Sequence, residues 1–418
     1  MTRLERSVDV LVVGGGPAGL GAAAELAASG AGHVEILERE QDAGGIPRHC
    51  LHGGFGVRGT GRFSGSGPRG GMSGPAFARA CVAAAVGVGA VLRTGVSVTG
   101  WDGPRTVETT GPAGLERITA RAVVLATGAR ERPRSARLVP GSRPPGIYTT
   151  GELQRAVHVH GQRIGTHAVV IGNEPVAHGA ADTLRGAGLD IVAMVTDQPV
   201  SPLPALVRAW AGFPLLTGAT VTRLTGRNRI SGVELRHEDG RTTTLRCDTV
   251  VFTGDFVPEH ELARRGGLVI DAGTRGPAYD TGFRTSRDGV FAVGNLLHAA
   301  EDAGVAAAEG RACAVPVLRG LAGHDRPAGP LVPLEVDPPL RWVAPNRIAP
   351  DAELHDGRFV LRTGRRLPRP HLVVSQDGRE LHRQRLLLPV LPGHPFHLGA
   401  GWLERIDPHG SAVRITAL

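Results

Sequence analysis

Lysine is absent from this 418-residue chain, so all 47 of its basic residues are arginine. No side-chain amine can therefore form a Schiff base with a substrate or with pyridoxal phosphate, and a lysine-dependent phosphate loop is excluded. Cysteine is scarce. The four present, Cys50, Cys81, Cys247 and Cys313, are far apart and form no C-x-x-C, which leaves neither a disulfide framework nor a zinc site. Aromatic residues make up 4% of the chain, and the arginines are scattered without interleaved aromatics. The net charge of +8 then reads as a solvated surface and not as a nucleic-acid footprint. No apolar run approaches the roughly 20 residues of a membrane span, and the first short run lacks a small-residue cleavage site. A soluble, cytoplasmic protein is the expectation. With 61 glycines and 31 prolines, the chain is rich in tight turns and close backbone approaches.

The first forty residues carry the strongest signal. Asp9 to Val13 is a near-continuous apolar run, as expected of a parallel strand buried on both faces. Gly14, Gly16 and Gly19 then make a G-x-G-x-x-G turn that encloses Pro17 and Ala18. An Ala-rich helix over 20–29 and a strand from His33 to Leu37 follow, ending on Glu38 and Arg39. In such a unit the first glycine permits the tight turn and the second lets the backbone approach a pyrophosphate. The third lets helix and strand pack closely, and the acid accepts hydrogen bonds from a ribose. The helix N-terminus offers free N–H groups and a positive dipole to the phosphates.

Three further segments bear on which dinucleotide binds. They are Gly44-Gly45 after Glu38, Ala126-Thr127-Gly128 after the strand Ala122 to Leu125, and Gly289 to Asn295 (GVFAVGN). Together they resemble the two-dinucleotide-domain flavoproteins, the superfamily of thioredoxin reductase and glutathione reductase, over about residues 5 to 325. The resemblance implies FAD in the first domain. Gly294-Asn295 would lie at the ribityl chain, and a helix from Ala303 to Leu318 would point at the flavin pyrimidine edge. The stretch Gly44 to Gly56, Gly74-Pro75-Ala76, Tyr148 to Gly151 and Thr253 to Pro258 is similar to one branch. That branch holds the FAD subunits of hydrogen cyanide synthase, opine oxidase and dye-linked proline dehydrogenases.

Three departures qualify the likeness. Cys50 stands alone after the double glycine, so dithiol–disulfide chemistry is unsupported. The inner domain begins with the strand Ala168 to Ile171 but continues Gly172-Asn173-Glu174-Pro175-Val176-Ala177, keeping only the first glycine. Glu174 puts bulk and negative charge where a pyrophosphate would approach, and no arginines follow the next strand, so NAD(P) binding is doubtful. No cysteine follows Cys313, which excludes a C-terminal [2Fe–2S] cluster of the kind some relatives carry.

The expected fold class is α/β: a Rossmann-type FAD domain with an inserted second Rossmann-like domain and a small β-rich C-terminal module. The expected boundaries are 1–150 and 276–325 for the FAD domain and 151–275 for the insert. A proline-rich linker from Pro327 to Pro339 would open the final 326–418, with short strands at Phe359 to Arg362, His371 to Ser375 and Arg385 to Val390.

The resemblance places Arg48, His49, Cys50 and His52 beside the flavin ring. His49 or His52 could accept a substrate proton, or each could only satisfy backbone groups. Arg48 reads equally as a carboxylate anchor and as a phosphate clamp. Cys50 reads as a buried bystander, with a sulfenic-acid or covalent-flavin role as the alternative. His298 and Glu301 could touch substrate or cap the helix. The leading expectation is an FAD-dependent oxidase or dehydrogenase taking a hydride from a small amine, imino acid or related metabolite onto flavin N5. O₂ or an electron-accepting protein would reoxidise it, in a homodimer or beside a second flavoprotein subunit. The alternatives are an NAD(P)H-driven flavin reductase and an electron-transfer or structural FAD subunit of a hetero-oligomer.

Overall fold

The computed structural model describes residues 4–56, 71–198, 212–324, 329–350 and 353–418. Its contacts divide the chain into two compact units. One comprises Met1–Gly45, Ala78–Arg130 and Val257–Leu418, and the other Ile46–Phe77 and Glu131–Phe256.

The first unit is built on a parallel sheet. The strand Leu4–Val13 lies between Val34–Glu38 and Gly114–Leu125, Val91–Thr94 flanks Val34–Glu38, and Val290–Ala292 pairs with Gly114–Leu125 on the far side. Val13 lies opposite both Leu37 and Leu125, and Leu125 lies opposite Ala292. Four strands thus end on one line, which places Gly14, Glu38, Ala126 and the start of Gly294-Asn295 along a single edge. Val10, Leu11 and Val12 have no solvent exposure. A run apolar at every position, not at alternate ones, is what a sheet covered on both faces requires. Each such side chain contributes about 1.5–3 kcal/mol of burial.

The Ala-rich composition of Pro17–Ala28 has a packing cause. It lies against the helix Ala303–Ala312, and a methyl group on Gly310 would overlap the Ala18 carbonyl. Only small residues let two helices approach so closely. The long helix expected from Ala303 to Leu318 is instead two helices, Ala303–Ala312 and Ala314–Leu321, meeting at Cys313. Pro316 explains the break, since its ring would clash with the carbonyl four residues earlier in a continuous helix.

The C-terminal residues of this unit form a five-stranded and a three-stranded sheet around their own core, with Phe359 stacked on Trp402 at 5.3 Å. Two expectations are corrected here. The stretch read as a linker holds the strand Val332–Val336. The strand placed at Arg385 to Val390 is really Arg379–Arg385, paired antiparallel with His371–Gln376. Asp377 and Gly378 both have positive φ (50° and 78°), the signature of a tight hairpin turn. The returning strand, RELHRQR, buries only Leu381, so its apolar pattern is too thin to read.

The second unit has a five-stranded parallel sheet in the order Leu215–Leu216, Asp190–Val195, His167–Ile171, Thr249–Phe252, Ile147–Thr149. After His167–Ile171 the chain passes through the helix Pro175–Gly186 to Asp190–Val195 on one side, and later returns to Thr249–Phe252 on the other. Between those two neighbours lies the crevice where strand order reverses, the usual ligand position in open α/β sheets.

Candidate functional site

The glycine turn of the first unit has the geometry that its sequence implies. Gly14 sits at φ 111°, and a methyl group there would overlap the Ala126 carbonyl oxygen. A methyl on Gly19 would overlap the Gly14 carbonyl, so these two glycines serve close packing. Gly16 differs. It caps the helix at φ −82°, and a methyl there would meet nothing nearer than the Gly45 Cα at 4.0 Å. The space beside it is an open cradle at a helix N-terminus with Pro17 in the first turn, the arrangement that receives a pyrophosphate. Glu38 is 8% exposed, and its two oxygens accept the Gly15 N–H at 2.9 Å and the Glu40 N–H at 2.8 Å. Those bonds fix the carboxylate, and its remaining lone pairs can accept ribose hydroxyls. Arg39 is exposed beside it. Gly44 donates its N–H to the Gly15 carbonyl at 2.7 Å, which closes the double glycine onto the loop.

The other expected cofactor positions also carry framework contacts. The Thr127 hydroxyl donates to the Glu259 carbonyl at 2.8 Å, and Gly128 turns at φ 76°. Gly294 is required because a Cβ would stand 2.6 Å from the Ala18 Cβ. The Asn295 side chain donates to the Glu301 carbonyl at 3.2 Å and accepts its N–H at 2.8 Å, so it closes the loop that leads to Ala303. An aspartate could not make both bonds. Asp302 caps that helix by accepting the Val305 N–H at 2.9 Å.

Below this loop lies a buried charge network that sequence reasoning only touched. His298, 1% exposed, bonds Glu309 at 2.9 Å. Burial works against its charge, but the Glu309 carboxylate outweighs this and holds the imidazole above its usual range. Arg362, from the C-terminal sheets, donates to the Ala300 carbonyl at 2.8 Å and meets Glu301 at 3.3 Å. The C-terminal residues therefore brace the loop that begins at Asn295.

The four residues expected at the reacting centre belong to the second unit. Cys50 is buried, donates to the Gln154 side-chain oxygen at 3.3 Å, and burial together with Glu131 pushes its thiol up to about 12. A thiol so held is no nucleophile at neutral pH. His49 is buried, and its carbonyl meets the His158 ring at 2.6 Å. His52 is half-buried and stacks on Phe55 at 5.2 Å, and Arg48 is half-buried in the same short stretch, within the turn Ile46–His49.

At the crevice of the second unit, the Glu174 carboxylate folds back over the turn. It accepts the Asn173 N–H at 2.9 Å and the Thr253 hydroxyl, and a methyl on either Gly172 or Gly254 would run into it. Two residues that the sequence reading passed over flank it. Glu131 accepts the N–H groups of Gly151 at 2.9 Å and Gly254 at 3.1 Å; burial raises its carboxyl to about 7 in spite of them. Arg137 donates to the carbonyls of Thr253 at 3.0 Å and Gly254 at 2.7 Å. The available signal was position: an acid three residues after Gly128, at a strand end. Among the described residues no group of His, Cys, Asp and Glu could hold a metal ion, and no helix is long and apolar enough to cross a membrane.

Two dinucleotide folds, one with an open glycine cradle, define an FAD-dependent oxidoreductase of the two-domain flavoprotein class. The family model for pyridine nucleotide-disulphide oxidoreductases matches residues 8–310, and the chain belongs to that family. It is 30% identical over 234 residues to the alpha subunit of sarcosine oxidase from Rhizobium meliloti, covering 55% of this chain and 22% of that one. It is 28% identical over 319 residues to an opine oxidase subunit from Rhizobium meliloti, covering 70% of this chain and 59% of that one. The chain thus spans less than two thirds of either relative. In fold it matches T. acidophilum thioredoxin reductase with a TM-score of 0.59 at 20% identity, covering 75% of this chain and 98% of the other. It also matches L-proline dehydrogenase from P. horikoshii with a TM-score of 0.56 at 20% identity, covering 78% of this chain and 58% of the other.

Proposed function

We propose that the chain oxidises the C–N bond of a small amine or imino acid, with FAD held at Gly14 to Gly19, and that it takes no electrons from a nicotinamide. The observation that carries this is Glu174, which fills the crevice of the second fold with a carboxylate where a pyrophosphate would have to lie. The substrate class comes from the relatives named as sarcosine and opine oxidases. When bound, FAD supplies the two-electron acceptor. The protein supplies the cradle, the helix dipole and a group that takes the amine proton. For that last role the half-buried His52 suits better than the buried His49, and Arg48 suits a substrate carboxylate.

Both relatives are named as subunits, which favours a second reading, that this chain passes electrons within a larger assembly. Anaerobic titration of the FAD-loaded protein distinguishes the readings. Sarcosine, proline or an opine is expected to bleach the flavin absorbance, and NADH and NADPH are expected to leave it unchanged. Bleaching by a nicotinamide within seconds overturns the proposal and makes the chain a reductase. Bleaching by an amine only after a co-purifying flavoprotein is added supports the second reading.

A further inference from the structure

The core of the C-terminal sheets uses only part of the apolar run at 386–391. Leu386 packs against that core and Val390 lies in it, whereas Leu387 and Leu388 are 74% and 76% exposed. The ladder beside them explains the difference. The Leu386 N–H donates to the Pro370 carbonyl at 3.0 Å, and Val390 and Leu367 exchange both backbone bonds at 2.9 Å. Residues 387–389 therefore face only 368–369, so the run carries an extra residue and bulges outward.

The surface beside the bulge carries charge of one sign. Arg365, Arg366 and Arg369 lie on the facing segment, and Arg385 precedes the run. All four are exposed, and no guanidinium among them meets a carboxylate or a carbonyl of the described residues. Residues 357–376 and 381–403 contain no aspartate or glutamate. Arg369 is also held at φ 52°, a left-handed conformation that costs a non-glycine residue free energy. Exposed leucines next to mutually repelling cations are unfavourable in the free protein, and a surface that is both apolar and anionic relieves both.

We propose that this knob docks the protein on an anionic lipid surface, with Leu387 and Leu388 entering the acyl boundary and Arg365, Arg366, Arg369 and Arg385 among the lipid phosphates. Protruding leucines suit a fluid apolar layer, which needs no preformed pocket. Guanidiniums without fixed partners suit a surface whose negative charge is spread out. Pro368, Pro370 and Pro389 lack the N–H groups that an added strand would need, which counts against a protein partner that extends the sheet. Such attachment is peripheral and weakens with salt.

Flotation of the FAD-loaded full chain with lipid vesicles tests it. Phosphatidylcholine vesicles with about one-third phosphatidylglycerol are expected to carry the protein in about 0.1 M salt and to release it as salt rises. Phosphatidylcholine alone is expected to leave it behind. Arg366→Gln with Arg369→Gln should weaken the partition by about tenfold or more, and Leu387→Ser with Leu388→Ser by a similar factor. All four side chains are exposed, so thermal midpoint and flavin content should stay at wild-type values in both pairs. Arg227→Gln with Arg246→Gln removes the same charge from exposed arginines elsewhere and should change the partition by less than about threefold. A protein that ignores anionic vesicles, binds neutral ones equally, or loses as much through the distant pair as through the local one overturns the proposal. So does a knob whose leucines matter only for co-migration with a second flavoprotein, which would make it a protein interface. No arm of the experiment depends on flavin reduction, so it stands or falls apart from the functional reading.

Discussion

The two dinucleotide folds of this chain share a backbone and differ at the position that meets a ligand. In both, the strand ends on a glycine with strongly positive φ, Gly14 at 111° and Gly172 at 134°. In both, that glycine donates its N–H to the end of the neighbouring strand, at 2.9 Å to Leu37 and 2.8 Å to Val195. In both, a 12-residue helix follows with proline in its first turn, Pro17 or Pro175. The residue before that proline is Gly16 in one and Glu174 in the other. One presents bare backbone to an open cradle, and the other fills the crevice with its own carboxylate. The turn glycine belongs to the fold and the cradle glycine to the ligand, so the second can be lost while the first persists.

The strongest way to break this comparison is at the shared turn. Gly14→Ala and Gly172→Ala are each expected to cost about 3 kcal/mol or more, because both force a side chain into positive φ and into a neighbouring atom. Denaturant midpoints followed by fluorescence and circular dichroism would read the two losses. If Gly172→Ala were neutral, the second turn would be looser than its twin and the parallel would fail.

A sharper test lies at Gly16. Since an added methyl meets nothing closer than 4.0 Å, Gly16→Ala is expected to shift the stability of the FAD-free protein by less than about 1 kcal/mol. Its FAD affinity should fall by roughly 10- to 100-fold, because the methyl displaces the phosphates from the helix N–H groups. Retained flavin after gel filtration measures it. An unchanged flavin content would mean that the cradle is not the pyrophosphate site.

This division also explains what could be read before the structure. The FAD loop was legible because Gly14 and Gly19 answer to local steric demands and Gly16 to the ligand, and the strand before it is apolar from Val10 to Val13. Glu174 was legible as an intruder for the same reason. The crevice behind it was not, since Glu131, Arg137, Thr150 and Gly254 come from separate segments that only the sheet order brings together. Asn295 carries a second role that its position did not suggest: its amide bonds both backbone groups of Glu301, which leaves one N–H and one lone pair for a cofactor. The strand Arg379–Arg385 was hidden by its polar sequence although its Asp377-Gly378 turn was in view.

A further effect concerns charge in the closed crevice. Glu131 has an ordinary value of 4.5 and is raised to about 7, chiefly by burial. Between those values the folded protein keeps a proton that the unfolded chain has released. Stability should therefore fall as pH rises from 4.5 to 7, by up to about 3 kcal/mol, and level off above that. Glu131→Gln removes the titrating group, so its stability should lack this decline and match or exceed wild type at pH 8. Melting midpoints of both proteins at half-unit pH steps provide the measurement. Parallel curves would show that the Glu131 carboxyl is already ionised in the folded state at low pH, as a carboxylate paired to a cation would be.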